Sequence, residues 1–79
     1  NFERVHHEFF EELKTHFPDL TSKELRLCAL VKMNLTNKEI SPILNISLRG
    51  VETARYRLRK RLDLEHEENM VEFLEKLAP

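Results

Sequence analysis

The sequence predicts an all-α fold in a single small domain, and three observations predict it. Apolar residues recur at spacings of three and four through nearly the whole chain, the alternation expected of a strand is absent, and helix-capping signals punctuate the periodic stretches. With 79 residues, such a domain buries roughly 60% of its unfolded surface. An enclosed substrate pocket is not expected at this size. The single cysteine, Cys28, excludes an internal disulfide and is compatible with a reducing compartment; the expected location is the cytoplasm. No apolar run approaches the ~20 residues of a membrane span, and no signal peptide opens the chain. Beginning at Asn1 without Met, the chain reads as a fragment of a longer protein, and the remainder is expected to carry sensing, anchoring or an enzyme activity.

Phe2, Val5, Phe9, Phe10, Leu13 and Phe17 form an aromatic stripe at helical spacing, so residues 1–16 read as an amphipathic helix that Pro18 stops. This N-terminal segment, residues 1–19, is expected to pack on the rest of the domain, with part of the stripe alternatively facing an upstream domain. Thr21 and Glu24 have capping-box spacing, in which each side chain satisfies a backbone N–H of the other residue. They open a second helix that runs to about Met33. Leu27, Cys28, Leu30 and Val31 supply one apolar face and Leu25, Ala29 and Met33 another, which predicts a helix sandwiched between neighbours. Asn34 suits a left-handed helix end.

Residues 36–62 organise the chain. Thr36 and Glu39 repeat the capping box, and Ile40, Ile43 and Leu44 form a short apolar stripe. Pro42 removes one backbone hydrogen bond near the start of this helix, where the loss is tolerable. Asn45 suits a left-handed end, Ser47 is an N-cap, and Ile46 is available to plug the gap between the two helices. The following helix, 48–62, turns Val51, Leu58 and Leu62 inward and lets Arg49, Thr53, Tyr56, Arg57 and Lys60 project outward. Two helices joined by so short a turn, the second rich in Arg, predict a DNA-reading helix-turn-helix. Arg55 falls on the inward side and is expected to lie across the core edge and pair with Glu24, the alternative being a stretched side chain that reaches solvent. After Asp63 and Leu64, a last helix is expected over 65–77, with Met70, Val71, Phe73, Leu74 and Leu77 apolar and Glu67 and Glu68 favouring its N-terminus. Five apolar residues exceed one contact line, so some are expected to be exposed in the monomer, where they would mark an interface.

The net charge of −1 conceals a division along the chain: residues 1–20 carry −3, 21–35 carry +2, 36–62 carry +5 and 63–79 carry −5. Concentrated positive charge on the helix-turn-helix is the footprint of a phosphate-facing surface. The alternative is that Arg59, Lys60 and Arg61 form a solvated end that suits the helix dipole.

Leu20-Thr21-x-x-Glu24, Asn37-Lys38-Glu39-Ile40, then Leu44-x-Ile46-Ser47 and Val51 resemble, in order and separation, the landmarks of the LuxR-type (GerE-like) helix-turn-helix domains of bacterial transcription regulators. The resemblance covers residues 20–77 and is similar to the variant appended to the C-terminus of bacterial sensor or regulator proteins. It implies a four-helix DNA-binding domain, here preceded by an extra N-terminal amphipathic helix, whose third helix reads the major groove and whose fourth supports dimerisation. By position, Glu52, Thr53 and Tyr56 fall where family members touch base edges. Thr36, Asn37, Lys38, Ser47, Arg49, Arg57 and Lys60 are candidate phosphate anchors, Thr36 and Asn37 through backbone N–H groups. Met70, Val71, Phe73, Leu74 and Leu77 are the implied dimer contacts, and Lys at Met70 and Leu74 is expected to weaken a dimer without unfolding the monomer. The implied partners are double-stranded DNA, a second copy, and an upstream sensor or receiver domain of the same protein; no cofactor or metal is implied. The sequence departs from the family pattern at Asn34 (usually Gly), Gly50 (usually Thr), Glu52 (often Lys) and Ala54 (often His). Glu52 either accepts a hydrogen bond from cytosine N4 or holds Arg49 or Arg55 in place.

An enzyme is disfavoured, because no Ser/His/Asp set, phosphate-binding Gly loop or paired-carboxylate site is present. His6, His7, His16 and His66 do not fall at His-x-x-x-His spacing, so they read as polar-face or boundary residues. Cys28, with apolar neighbours, reads as a core residue. The rival readings are a helical protein-interaction module whose basic helix is merely solvated and a sigma-factor-like promoter reader.

Overall fold

The computed structural model describes residues 7–65 and 68–77, which form five α-helices and no strand. They are α1 His7–His16, α2 Ser22–Lys32, α3 Asn37–Leu44, α4 Leu48–Arg61 and α5 Met70–Leu77. Phe2, Val5, His6, His66 and Glu67, which entered the sequence reading, lie outside the described residues.

The stripe of α1 does what its spacing predicts. Phe9, Phe10 and Leu13 are buried, and the helix packs on α2 and α5. It ends before Pro18, where Phe17 N–H still reaches Leu13 O at 2.7 Å and Leu20 N–H turns back to Phe17 O at 3.2 Å. Phe17 is half-buried and its ring meets that of Phe73 on α5 at 6.1 Å.

In α2 both halves of the capping box form, Thr21 N–H donating to Glu24 Oε1 at 2.9 Å and Glu24 N–H to Thr21 Oγ1 at 3.2 Å. Leu25, Leu27, Cys28, Ala29, Leu30 and Val31 are all buried. The helix is sandwiched, and it packs most extensively on α5 while also touching α1 and α4. Met33, expected to extend the second face, is instead 52% exposed, because the helix is already unwinding there as its C-cap.

Three helices end by one device. Asn34, Asn45 and Asp63 take positive φ of 64°, 57° and 57°. In each case the next N–H reaches back to a carbonyl five residues earlier: Leu35 to Leu30, Ile46 to Ser41, and Leu64 to Arg59. This left-handed closure satisfies helix-end carbonyls that would otherwise lack partners. Asn34 and Asn45 follow the sequence expectation; Asp63 adds a third site.

Within the helix-turn-helix, α3 and α4 pack on each other, with Ile40, Val51 and Leu58 fully buried and Leu62 nearly so. Pro42 sits inside α3 without ending it. Ile43, expected in the apolar stripe, is 56% exposed: in an eight-residue helix the inward line is filled by Ile40 and the half-buried Leu44. Nor does Ile46 plug the gap. It is 37% exposed and lies over Gly50, where an added Cβ would stand 3.4 Å from Ile46 Cβ and 3.2 Å from Ser47 Oγ. The turn is closed instead by the Ser41 hydroxyl donating to Ile46 O at 2.5 Å.

The last helix is shorter than expected, starting at Met70 rather than residue 65. Arg59 explains part of the difference. Its guanidinium donates to the carbonyl of Glu65 at 2.8 Å and to that of Glu68, occupying acceptors that a helix through this segment would use internally. Asn69 Oδ1 then accepts from Glu72 N–H at 3.2 Å, an N-cap contact that starts α5. Glu68 does not lie in the first turn; its Oε1 accepts from Glu65 N–H at 2.9 Å in the connecting segment.

Met70 and Leu74 are 3% and 0% exposed, so both belong to the domain's own core. This corrects the expectation that Lys at these positions leaves a folded monomer. Part of the apolar surplus of α5 is used within the chain, where Val71, Phe73 and Leu77 pack half-buried against the core and keep an exposed edge, while Glu72, Glu75 and Lys76 face outward.

Candidate nucleic-acid interface

An α-helix turns once in about 3.6 residues, so burial of Val51 and Leu58 fixes which side of α4 faces out. Arg49, Thr53, Tyr56 and Lys60 lie along the opposite line, with Glu52 on one shoulder and Arg57 on the other. All six are exposed. The candidates Glu52, Thr53, Tyr56, Arg49, Arg57 and Lys60 therefore share one surface.

Within it, Lys60 Nζ stands 4.7 Å from the centre of the Tyr56 ring, a cation–π contact that steadies an otherwise 60%-exposed side chain. Among the described residues, no ion pair joins Glu52 to Arg49 or Arg55. Its carboxylate is left to face outward as an acceptor.

The N-terminal end of α4 is set by Ser47, whose Oγ accepts from Gly50 N–H at 3.0 Å. The hydroxyl proton remains available to an acceptor such as a phosphate oxygen. At α3, Lys38 is exposed, but the Thr36 N–H proposed for an anion is not free, because it donates to Glu39 Oε1 at 2.8 Å. Thr36 Oγ1 likewise accepts from Glu39 N–H at 3.2 Å. Asn37, at the first helical position, keeps a backbone N–H of the kind that lacks an intrahelical partner.

The basic run at the end of α4 is divided in its work. Arg59 is tied to carbonyls of the connecting segment. Arg61 crosses to α2, placing Nε 3.4 Å from Glu24 Oε2 and donating to Asp19 O at 3.3 Å. Lys60 alone of the three stays on the outward line. Glu24 is thus paired with Arg61 rather than with Arg55. Arg55 is half-buried, and burial together with neighbouring Arg59 lowers its pKa. Sequence reasoning missed the Arg61 bridge; the available signal was that Glu24, as a capping residue, uses only one of its two oxygens for the cap.

Elsewhere the chemistry is sparse. Burial, then the Glu24 carboxylate, push the Cys28 thiol from 9.0 up to about 12. His7 lies 3.9 Å from Glu11, and His16 Nδ1 lies 3.0 Å from Glu12 O, both on the exposed face of α1. Among the described residues no cluster of His, Cys, Asp and Glu is placed to hold a metal ion, and no helix is long and apolar enough to cross a membrane.

Searches among curated proteins and solved structures found no match. Comparison with protein families gave one, described as "Bacterial regulatory proteins, luxR family", over residues 18–74. That span takes in α2, the whole helix-turn-helix and most of α5, and leaves α1 outside. With its sequence landmarks, its helical architecture and the exposed polar line of α4 in agreement, the chain belongs to the luxR family of bacterial regulatory proteins and is a helix-turn-helix DNA-binding domain.

Proposed function

We propose that this is the DNA-binding output domain of a bacterial transcription regulator in the cytoplasm, and that α4 reads operator DNA in the major groove. The observation that carries the reading is the exposed line Arg49, Thr53, Tyr56 and Lys60, opposite the buried Val51 and Leu58. Thr53, Tyr56 and Glu52 meet base edges, with Glu52 accepting from cytosine N4. Arg49, Arg57, Lys60, Lys38, the Ser47 hydroxyl and the Asn37 N–H hold phosphates, which position the helix without specifying sequence. Two copies bind a two-fold symmetric site with their reading helices ~34 Å apart. The dimer contact lies along the edges of α5 at Val71, Phe73 and Leu77, and an upstream sensor or receiver domain of the same protein controls it.

Fluorescence anisotropy with labelled mixed-sequence duplex, titrated with salt, tests the reading. Contact with Z phosphates makes log affinity fall against log salt with a slope near −0.9Z. A steep slope that Arg49→Glu with Arg57→Glu flattens supports it. Absence of binding at low salt by a folded protein, even in a forced dimer, would move the function to protein interaction.

A further inference from the structure

Tyr56 stands on the outward line of α4 with 60% of its surface exposed. Among the described residues, the one charged or aromatic group that meets its ring is the ammonium of Lys60, 4.7 Å from the ring centre. We propose that Lys60 is a positioning residue for base reading. It holds the Tyr56 ring in the orientation that meets a base edge, so the sequence preference at that base pair depends on Lys60 although Lys60 touches no base. The proposal rests on α4 being the reading helix with Tyr56 as one of its base contacts, and it gives Lys60 a role that a phosphate anchor does not have.

Helix geometry makes the pairing directional. Side chains of an α-helix lean towards its N-terminus, so a long residue covers the turn before its own. Lys60 therefore lies back over Tyr56, and Tyr56 leans towards the turn that carries Glu52 and Thr53, the other two base-reading candidates. A tyrosine with no neighbour on a helix surface exchanges between the two χ1 rotamers that helices allow, which swing the ring to different places. A cation held over one face of the ring favours one of them. The cations on either side of Lys60 are occupied elsewhere. Arg59 donates to carbonyls of Glu65 and Glu68, and Arg61 bridges Glu24 and Asp19 O. Lys60 has no ion-pair partner among the described residues, so no acid there draws its ammonium off the ring. A second cation–π contact shows the contrast: Lys32 Nζ lies 5.3 Å from the centre of the Phe9 ring, but that ring is 5% exposed and is held by core packing. Tyr56 has no such packing. An ammonium carries three N–H donors, so Lys60 keeps its place on the ring while donating to a phosphate oxygen. The ring is then tied to the strand that sets the register of α4.

The test uses the full chain and anisotropy of end-labelled DNA. It compares affinity for a preferred duplex with affinity for a duplex altered at the one base pair whose preference Tyr56→Ala abolishes. Lys60 is exposed and Met is a good helix former, so Lys60→Met keeps the fold. It is expected to lower the ratio of the two affinities by a factor of about 2–5, the worth of an exposed cation–π contact. Lys60→Arg, which keeps a cation over the ring, retains the ratio. Preferences at the other base pairs stay unchanged, because loss of a phosphate contact weakens every duplex alike. In the free protein, the ring current of Tyr56 is expected to move the Lys60 ε-methylene protons upfield in the NMR spectrum, a shift that Tyr56→Ala removes. A Lys60→Met protein that binds both duplexes more weakly by one factor and keeps the wild-type ratio overturns this proposal alone and leaves Lys60 as a phosphate anchor. So does an equal loss of preference at every base pair, which would show a general loosening of α4. A wild-type preference that Tyr56→Ala leaves intact removes Tyr56 from the reading and this proposal with it. Wild-type protein that distinguishes no duplexes removes base reading by α4 altogether.

Discussion

Glu24 and Arg61, 37 residues apart in the sequence, join the start of α2 to the end of α4 through a contact of 3.4 Å. Because the other carboxylate oxygen of Glu24 caps α2, one side chain both begins a helix and ties it to α4. Glu24→Ala removes both roles and is expected to lower stability by about 1–2 kcal/mol. Glu24→Gln, which keeps an acceptor for the cap, is expected to lose less than about 1 kcal/mol. Urea unfolding followed by circular dichroism separates the two, and equal losses would show that the pair, not the cap, dominates.

The left-handed ends make a second prediction. Asp63 holds φ of 57°, a conformation that a side chain disfavours and Gly adopts freely. Asp63→Gly is expected to stabilise the domain by about 0.5–1 kcal/mol, seen as a higher Tm. A fall in Tm would mean that the Asp63 side chain contributes more than its backbone strain costs.

These ends also show what was legible in the sequence. Thr21 with Glu24, Thr36 with Glu39, and Asn34, Asn45 and Ser47 act through neighbours three to five residues away, so their roles can be read locally. The outward line of α4 was legible for the same reason, since Val51 and Leu58 fix the helix face by spacing alone. Periodicity does not say what an apolar residue packs against, and so Met70 and Leu74 read as an interface although they fill the core. The Arg61–Glu24 pair, the exposure of Ile43 and the late start of α5 depend on contacts or competing hydrogen bonds between segments, which local spacing does not encode. Asp63 was missed because Asp takes a left-handed end less commonly than Gly or Asn.

Met70 and Leu74 yield a third prediction. Either one replaced by Lys places a charge in a fully packed site, and Leu74→Ala alone is expected to cost about 2–5 kcal/mol. Against a total stability of about 4–12 kcal/mol for a domain of this length, the Lys variants are expected to lose their cooperative thermal transition. Retention of a sharp transition in Leu74→Lys, with loss only of self-association in sedimentation, would restore these residues to the dimer surface.

Cys28 gives a pH dependence. Its thiol ionises near 9.0 when unfolded and only at about 12 in the fold, so between those values the unfolded chain binds fewer protons. The contribution of this group is fully present below pH 9.0 and is lost as pH rises towards about 12, by about 1.4 kcal/mol per pH unit. Urea unfolding of wild type and Cys28→Ala across this range is expected to show the steeper decline in wild type. Parallel declines would contradict a buried, neutral thiol.

The claim at the centre of the account is that α4 reads bases, and selection of binding sites from a random duplex pool tests it most directly. Run with the full chain and with Glu52→Gln, the selection is predicted to enrich a two-fold symmetric site in both cases. The preferred base opposite position 52 should change from cytosine, which donates to a carboxylate, towards adenine, which pairs with the amide of Gln. A pool that is not enriched by wild-type protein, or an identical site chosen by both proteins, would contradict base reading by this face of the helix.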